Sequence, residues 1–175
     1  MAKAAFWTRR VGRERTAHLE SVAMAHGGFT VVQEREQGIF GNTYPVAHGT
    51  HRDRAMVVRF GTNGYRQSRE ASETHTVVSI PDMRGLPPGL RIFPAIGGGL
   101  KAKGGARGVA QSWLADPRHY GPLTAWLSSV GYVSLSDRLG LAVHLEGVDI
   151  APERLIAWLD EVVDLAESLE APPAV

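Results

Sequence analysis

The stretch YVSLSDRLGLAVHLE, residues 132–146, decides the fold class. Polar and apolar residues alternate over Tyr132–Ser136 and again over Leu141–Glu146, and the four residues between them suit a hairpin connection. After Pro152 the spacing changes to four and three, which predicts a helix with the apolar stripe Leu155, Leu159, Val162, Ala166 and Leu169. This part of the chain therefore predicts two antiparallel strands followed by an amphipathic helix.

Residues 29–94 consist of short apolar runs separated by Gly, Pro and Asn, a texture typical of strands. The runs predict strands at Phe29–Glu34, Tyr44–His51, Arg54–Gly61, Thr74–Pro81 and Leu90–Pro94. Two more helices are predicted, one over Arg13–His26 and one from Pro122 to a stop at Gly131. Because the β–α–β rhythm of a parallel sheet is missing, we predict an α+β fold. Its antiparallel sheet would have about six or seven strands, with N-terminal, middle and C-terminal helices packed mainly on one face.

Composition places the chain among ordinary globular domains. It has 175 residues, 43% hydrophobic and 21% charged, and no cysteine. This excludes a disordered chain, a disulfide scaffold and a thiolate metal site, and it predicts one domain over residues 1–175 with a frayed tail at 171–175. No apolar run is long enough for a transmembrane segment and no targeting segment is evident, so we expect a cytoplasmic protein. The excess of Arg over Lys fits a GC-rich bacterial genome.

Charge is unevenly distributed along the chain. Residues 1–70 carry 11 Lys and Arg against 6 Asp and Glu, whereas residues 151–175 carry 1 against 6. The two regions either lie side by side and compensate each other, or the basic region faces an anionic partner.

The segment 97–108 is rich in glycine and carries Lys101, Lys103 and Arg107. Its backbone amides and cations are a candidate anion site. It lacks the Gly-Lys-Ser/Thr ending of a phosphate-binding loop, so no nucleotide cofactor is predicted. We expect a flexible loop here, as long irregular segments usually are.

The histidines do not predict a metal site. His48 and His51 lie an odd number of positions apart on one strand, so their side chains point to opposite faces of the sheet. No serine lies in a recognisable nucleophile motif, and cysteine is absent. We therefore assign no catalytic residue, no metal ligand and no cofactor.

A second candidate binding segment is the basic N-terminal region, with Trp7 beside Arg9, Arg10 and Arg13. The cations are suited to phosphate contacts, and the aromatic residue to anchoring a partner protein or a membrane surface.

Several segments together carry a resemblance to a known family. The segment LPPGLRIFP at residues 86–94, the segment WLSSV at 126–130, and the 141–146 strand leading into the 152–170 helix resemble a family of uncharacterised bacterial domains. The resemblance covers residues 40–170 and implies an extended sheet with a C-terminal helix. Family members often follow two transmembrane helices, which have no counterpart in this sequence, and the family implies no catalytic residues.

Three functions compete at this point. A protein-interaction or assembly module without catalytic activity, which binds an unknown protein partner or a second copy of the chain, predicts an exposed apolar patch around Trp7 or on the first and last helices. An enzyme of unrecognised type predicts a pocket lined by His48, His75 or His144 with a carboxylate nearby, and two imidazoles with an acid around one void would favour it. A nucleic-acid or anionic-surface binder predicts convergence of Arg9, Arg10, Arg13, Arg66 and Arg69.

Overall fold

A computed structural model describes residues 2–35, 43–62, 74–95, 97–106, 108–130, 132–147 and 150–171. Within these residues, four helices and eight strands follow one another. They are α1 (Ala2–His26), β1 (Phe29–Arg35), β2 (Thr43–His51), β3 (Arg54–Thr62), β4 (Thr74–Ile80), β5 (Arg91–Pro94), β6 (Leu100–Lys103), α2 (Val109–Ala115), α3 (Pro117–Val130), β7 (Tyr132–Ser136), β8 (Gly140–Glu146) and α4 (Pro152–Glu170).

The strands form a single sheet in the order β1-β2-β3-β4-β8-β7-β5-β6, and all its strand pairs are antiparallel. The α+β class with an antiparallel sheet is thereby confirmed. The predicted number of six or seven strands is too low by at least one, because the segment 97–108 contains β6. Its four residues, Leu100–Lys103, alternate in burial, but glycines on both sides hid so short a pattern in the sequence.

The middle helix begins earlier than predicted. Helix α3 starts at Pro117, whose missing N–H matters little in a first helical turn, and the Asp116 carboxylate accepts the backbone N–H of Arg118 at 2.9 Å. Pro122, predicted as the start, lies inside this helix. Helix α2 was not predicted. Pro117 and Pro122 both suit the first turn of a helix, and the predicted start at Pro122 was wrong.

One side of the sheet and the helices share a core. Alternate strand residues such as Val58 and Val143 are fully buried, together with Leu19 of α1, Leu123 of α3 and Leu159 of α4. Because successive side chains of a strand point to opposite faces, the residues between them face away from the helices. The predicted apolar stripe of α4 is buried in this core.

Acidic residues of α4 meet the β2–β3 hairpin. Arg52 contacts Asp164 and Glu167, and Arg54 forms a two-point ion pair with Glu170. The acidic C-terminal helix is thus compensated by arginines of the basic N-terminal region, one of the two arrangements that the charge distribution predicts. No helix in the described part of the chain is long and apolar enough to cross a bilayer.

Candidate functional site

The face of the sheet turned away from the helices forms a groove of about 710 Å³. Seven of the eight strands contribute to its lining, with the β7–β8 turn. The volume lies within the range of small-molecule binding sites in proteins. The groove is therefore the candidate functional site.

Three arginines line this groove, and strand alternation explains two of them. Arg59 lies between Val58 and Phe60, and Arg91 precedes Ile92; these apolar neighbours pack into the core, so the arginines point into the groove. The third, Arg138, comes from the β7–β8 turn. All three are exposed.

The groove arginines differ in their partners from several arginines elsewhere in the fold. Arg52 and Arg54 are paired with carboxylates of α4, and Arg118 with Asp116. No carboxylate of the described residues forms an ion pair with the three groove arginines, Arg59, Arg91 and Arg138. Their guanidinium groups are available to a ligand.

One carboxylate lines the groove in the described part of the chain, and it already has a partner. Glu34 Oε1 lies 2.6 Å from His48 Nε2. This contact joins β1 to β2 at the end of the sheet remote from β6. The carboxylate orients the His48 imidazole and offsets only part of the positive charge of the groove.

His144 lines the opposite part of the groove and is held neutral. Burial, and then the nearby His75 and Arg59, lower its pKa from 6.5 to about 4. The centroids of the Tyr132 and His144 rings are 4.2 Å apart. Buried nitrogens of both imidazoles, Nδ1 of His144 and Nε2 of His75, have no hydrogen-bond partner among the described residues.

Two of the three serines that line the groove are hydrogen-bonded to the backbone. Ser79 Oγ donates to the Val57 carbonyl at 3.4 Å, and Ser136 Oγ accepts the Leu139 N–H at 2.9 Å. Neither bond involves an imidazole, and no hydrogen bond joins a serine hydroxyl to an imidazole among the described residues, as an activated serine nucleophile of the serine–histidine kind would require.

A second cluster of titratable groups lies on the helix side of the sheet. His26 Nε2 is 2.6 Å from His51 Nδ1, and His51 Nε2 is 2.8 Å from an Asp160 oxygen. The Gly28 N–H donates to His26 Nδ1 at 3.1 Å. When both imidazoles are neutral, each hydrogen bond of this series has one donor and one acceptor. The His26 Nε2–H donates to His51 Nδ1, and the His51 Nε2–H donates to Asp160. The cluster joins α1, β2 and α4 and has no connection to the groove lining.

The prediction that His48 and His51 face opposite sides is confirmed by their different partners, Glu34 and Asp160. No group of three or more His, Cys, Asp or Glu in the described ranges is arranged to hold a metal ion. His48 and His144, with Glu34, line one groove, which is the combination that the enzyme hypothesis predicts.

The predicted binding residues are placed as follows. Lys101 and Lys103 are exposed on β6, and Lys103 Nζ lies 5.4 Å from the centre of the Phe93 ring. Arg13 is exposed on α1. The side chains of Trp7, Arg9 and Arg10, and residues Arg66, Arg69 and Arg107, lie outside the part of the structure that is described.

The groove arginines were not predicted as site residues, although the strand alternation around two of them indicates which face of the sheet they occupy. Arg59 and Arg91 occupy positions on predicted strands where apolar neighbours define the buried face. Their alternation shows that both point away from the core. It does not show that β3 and β5 belong to the same sheet, which is what brings the two side chains to one groove.

No protein-family model, no curated protein and no solved structure matches the chain. The resemblance of residues 40–170 to an uncharacterised bacterial family therefore rests on the sequence motifs alone. Function has to be argued from the groove itself.

Proposed function

We propose that this protein is a binding module without catalytic activity whose groove holds an anionic ligand. One observation carries the proposal: Arg59, Arg91 and Arg138 line the same groove and have no carboxylate partner in the described part of the chain. On the helix side of the sheet, by contrast, Arg52 and Arg54 are paired with carboxylates of α4.

The chemistry of arginine supports an anionic ligand. A guanidinium group presents several N–H donors in a plane, which match two oxygens of a phosphate or carboxylate group. A concave surface lined by charges of one sign also concentrates the field and attracts oppositely charged molecules. Three such groups around one groove favour a ligand with more than one negative charge.

The enzyme alternative has a specific observation in its favour, the pair Glu34 and His48 with His144 in the same groove. Distance argues for binding instead. β2 and β8 are three strand spacings apart, about 14 Å, so the two imidazoles do not meet at one reacting atom. An enzyme that used His48 would have Glu34 as its acid–base partner, and a Glu34→Gln variant that abolished turnover of any substrate would favour this alternative.

The protein-partner hypothesis finds less support in the described residues. The large exposed apolar side chains of the described residues lie on five different parts of the fold, α1, β1, α2, α3 and the β7–β8 turn, so no single helix or strand carries them: they are Met24, Val32, Val109, Tyr120 and Leu139. Single exposed apolar residues are ordinary on protein surfaces.

Thermal unfolding with inorganic tripolyphosphate tests the proposal. A ligand that binds only the folded protein stabilises it by about 2.7 kcal/mol at one hundred times its Kd, so Tm rises with tripolyphosphate concentration. We expect the Arg91→Gln/Arg138→Gln variant to lose most of this rise.

The matched control is Arg84→Gln/Arg154→Gln. Both residues are exposed and neither lines the groove, so this variant has the same net charge and should keep the full rise in Tm. No effect of tripolyphosphate on the wild-type protein, or an equal loss in both double variants, would overturn the proposal.

A further inference from the structure

We infer that the anionic ligand is a single-stranded nucleic acid, an inference that rests on the proposed function. It would lie along a basic track, which we define as Arg59, Arg138, Arg91, Lys103 and Lys101. The track begins in the groove on β3 and continues to the edge strand β6, beyond the residues that line the groove.

Strand register places the two lysines on the groove side of the sheet. Arg91 pairs with Lys103 and Phe93 with Lys101, and partners in an antiparallel ladder point to the same face. Leu100 and Ala102, which alternate with the lysines, pack against the core on the opposite face. The cations of β6 therefore extend the positive surface begun by Arg91.

The track is longer than a small ligand needs. From β3 to β6 the sheet order contains five strand spacings, about 24 Å. A single phosphate or carboxylate group would occupy only one part of this length. A polyanion with charges repeated along its backbone would contact arginines and lysines together, as proteins that bind single strands do.

An aromatic side chain within the track distinguishes nucleic acids from other polyanions. Phe93 is half-buried in the groove lining, two residues from Arg91 on β5 and opposite Lys101 on β6, and Lys103 lies over its ring. Proteins that bind single strands combine cations along the backbone with aromatic rings on which bases stack. Bases of a duplex are stacked inside and paired, so a single strand fits this arrangement better.

Fluorescence anisotropy of a 5′-labelled thymidine 12-mer, titrated with the full chain at several salt concentrations, tests the inference. Each phosphate contact contributes about 0.7 to the slope of log K against log salt, so the five cations predict a slope near −3.5. The variant Arg91→Gln/Lys103→Gln should bind about tenfold more weakly, and the magnitude of its slope of log K against log salt should be smaller by about 1.4. The control Arg84→Gln/Arg154→Gln should behave as the wild type.

A Phe93→Leu variant separates base stacking from charge. Leucine retains apolar packing but has no aromatic face on which a base can stack, so we expect about a tenfold loss of oligonucleotide affinity. The rise in Tm with tripolyphosphate should be unchanged, because that anion has no base.

Each outcome decides between the two proposals. If tripolyphosphate stabilises the protein through Arg91 and Arg138 but the 12-mer does not bind, the nucleic-acid inference fails and the proposed function remains. If neither binds, both fail. Equal affinity for a duplex 12-mer, or for polyglutamate with no effect of Phe93→Leu, would also overturn the inference. So would a loss of binding in Arg9→Gln/Arg10→Gln/Arg13→Gln that exceeds the loss in Arg91→Gln/Lys103→Gln.

Discussion

Individual charged side chains of this protein have two different roles, and burial separates them. Arg54 and Glu170 are each only 12% exposed and bind each other through two hydrogen bonds of 2.7 and 2.8 Å. Glu170 also accepts the Arg84 N–H at 2.6 Å. This pair fixes the C-terminal end of α4 to the β2–β3 hairpin, whereas the groove arginines are exposed and have no ion pair with a carboxylate of the described ranges.

Removing one member of this pair should destabilise the protein strongly. Glu170→Ala leaves the Arg54 guanidinium largely buried without its partner, which costs about 3 kcal/mol in the free energy of unfolding. Asp164→Ala on the same helix removes an ion pair whose carboxylate is 64% exposed, and should cost less than about 1 kcal/mol. Urea denaturation measures both, and equal losses would contradict the distinction.

Two histidines make folding stability depend on pH. Burial lowers the pKa of His144 to about 4, and burial followed by the charge of His51 lowers the pKa of His26, against a smaller opposing effect of Asp160. The unfolded chain binds protons at these residues near pH 6.5, whereas the folded chain does not. Stability is therefore full above about pH 6.5 and declines as the pH falls toward the lower pKa values of the folded state.

For His144 the loss between pH 7 and pH 4 should be about 2 kcal/mol, because partial solvent screening reduces the full effect of its shift. Urea denaturation of His144→Phe across this range should show a shallower decline than the wild type. An unchanged pH profile would show that this imidazole is not kept neutral by the fold.

At the scale of elements, the β7–β8 hairpin determines where Arg138 lies. Gly140 begins β8 with a positive φ of 73°, and a Cβ at this position would collide with the backbone carbonyl of Ile80 on β4. The hairpin can approach the neighbouring strand only because this residue has no side chain. The turn that carries Arg138 is thereby placed at the rim of the groove.

Two glycine-to-alanine variants separate the cost of a positive φ from the cost of a collision between the new Cβ and neighbouring backbone. Gly85 has a similar φ of 70° with open space where a Cβ would lie. Gly85→Ala should therefore cost only about 1 kcal/mol of conformational strain, whereas Gly140→Ala adds a backbone collision and should cost at least about 3 kcal/mol. Thermal unfolding of the two variants checks the order, and a smaller loss for Gly140→Ala would contradict it.

At the scale of the whole molecule, one core joins α1, α3 and α4 to the sheet. Three tryptophans, Trp113, Trp126 and Trp158, pack against this core from α2, α3 and α4. A continuous core of this kind predicts one cooperative unfolding unit, and the expectation of a single domain predicts the same.

Unfolding in urea should therefore give coincident curves when followed by tryptophan fluorescence and by far-ultraviolet circular dichroism. Leu159→Ala, at a fully buried position of α4, should shift both curves together by about 3 kcal/mol. Glu161→Ala, at an exposed position on the same helix turn, serves as a milder control. Separate transitions for the two probes would show that the helices and the sheet unfold independently.

Prediction from sequence succeeded where the signal is local. The alternation in residues 132–146 and the stripe of α4 depend only on neighbours along the chain, and both elements lie where they were predicted. The start of α3 was wrong because Pro117 and Pro122 both suit a first helical turn. Strand β6 was missed because four residues between glycines are too short for a period to be recognised.

The sequence by itself determined which residues form most helices and strands, and which side of each is apolar, because side-chain direction follows from backbone geometry within a few residues. Tertiary structure alone decided that β8 pairs with β4 and that β7 pairs with β5. These pairings join segments far apart in the chain and depend on burial of a common core, which no local pattern records. They bring Arg59, Arg91 and Arg138 to one groove, and with them the property on which the proposed function depends.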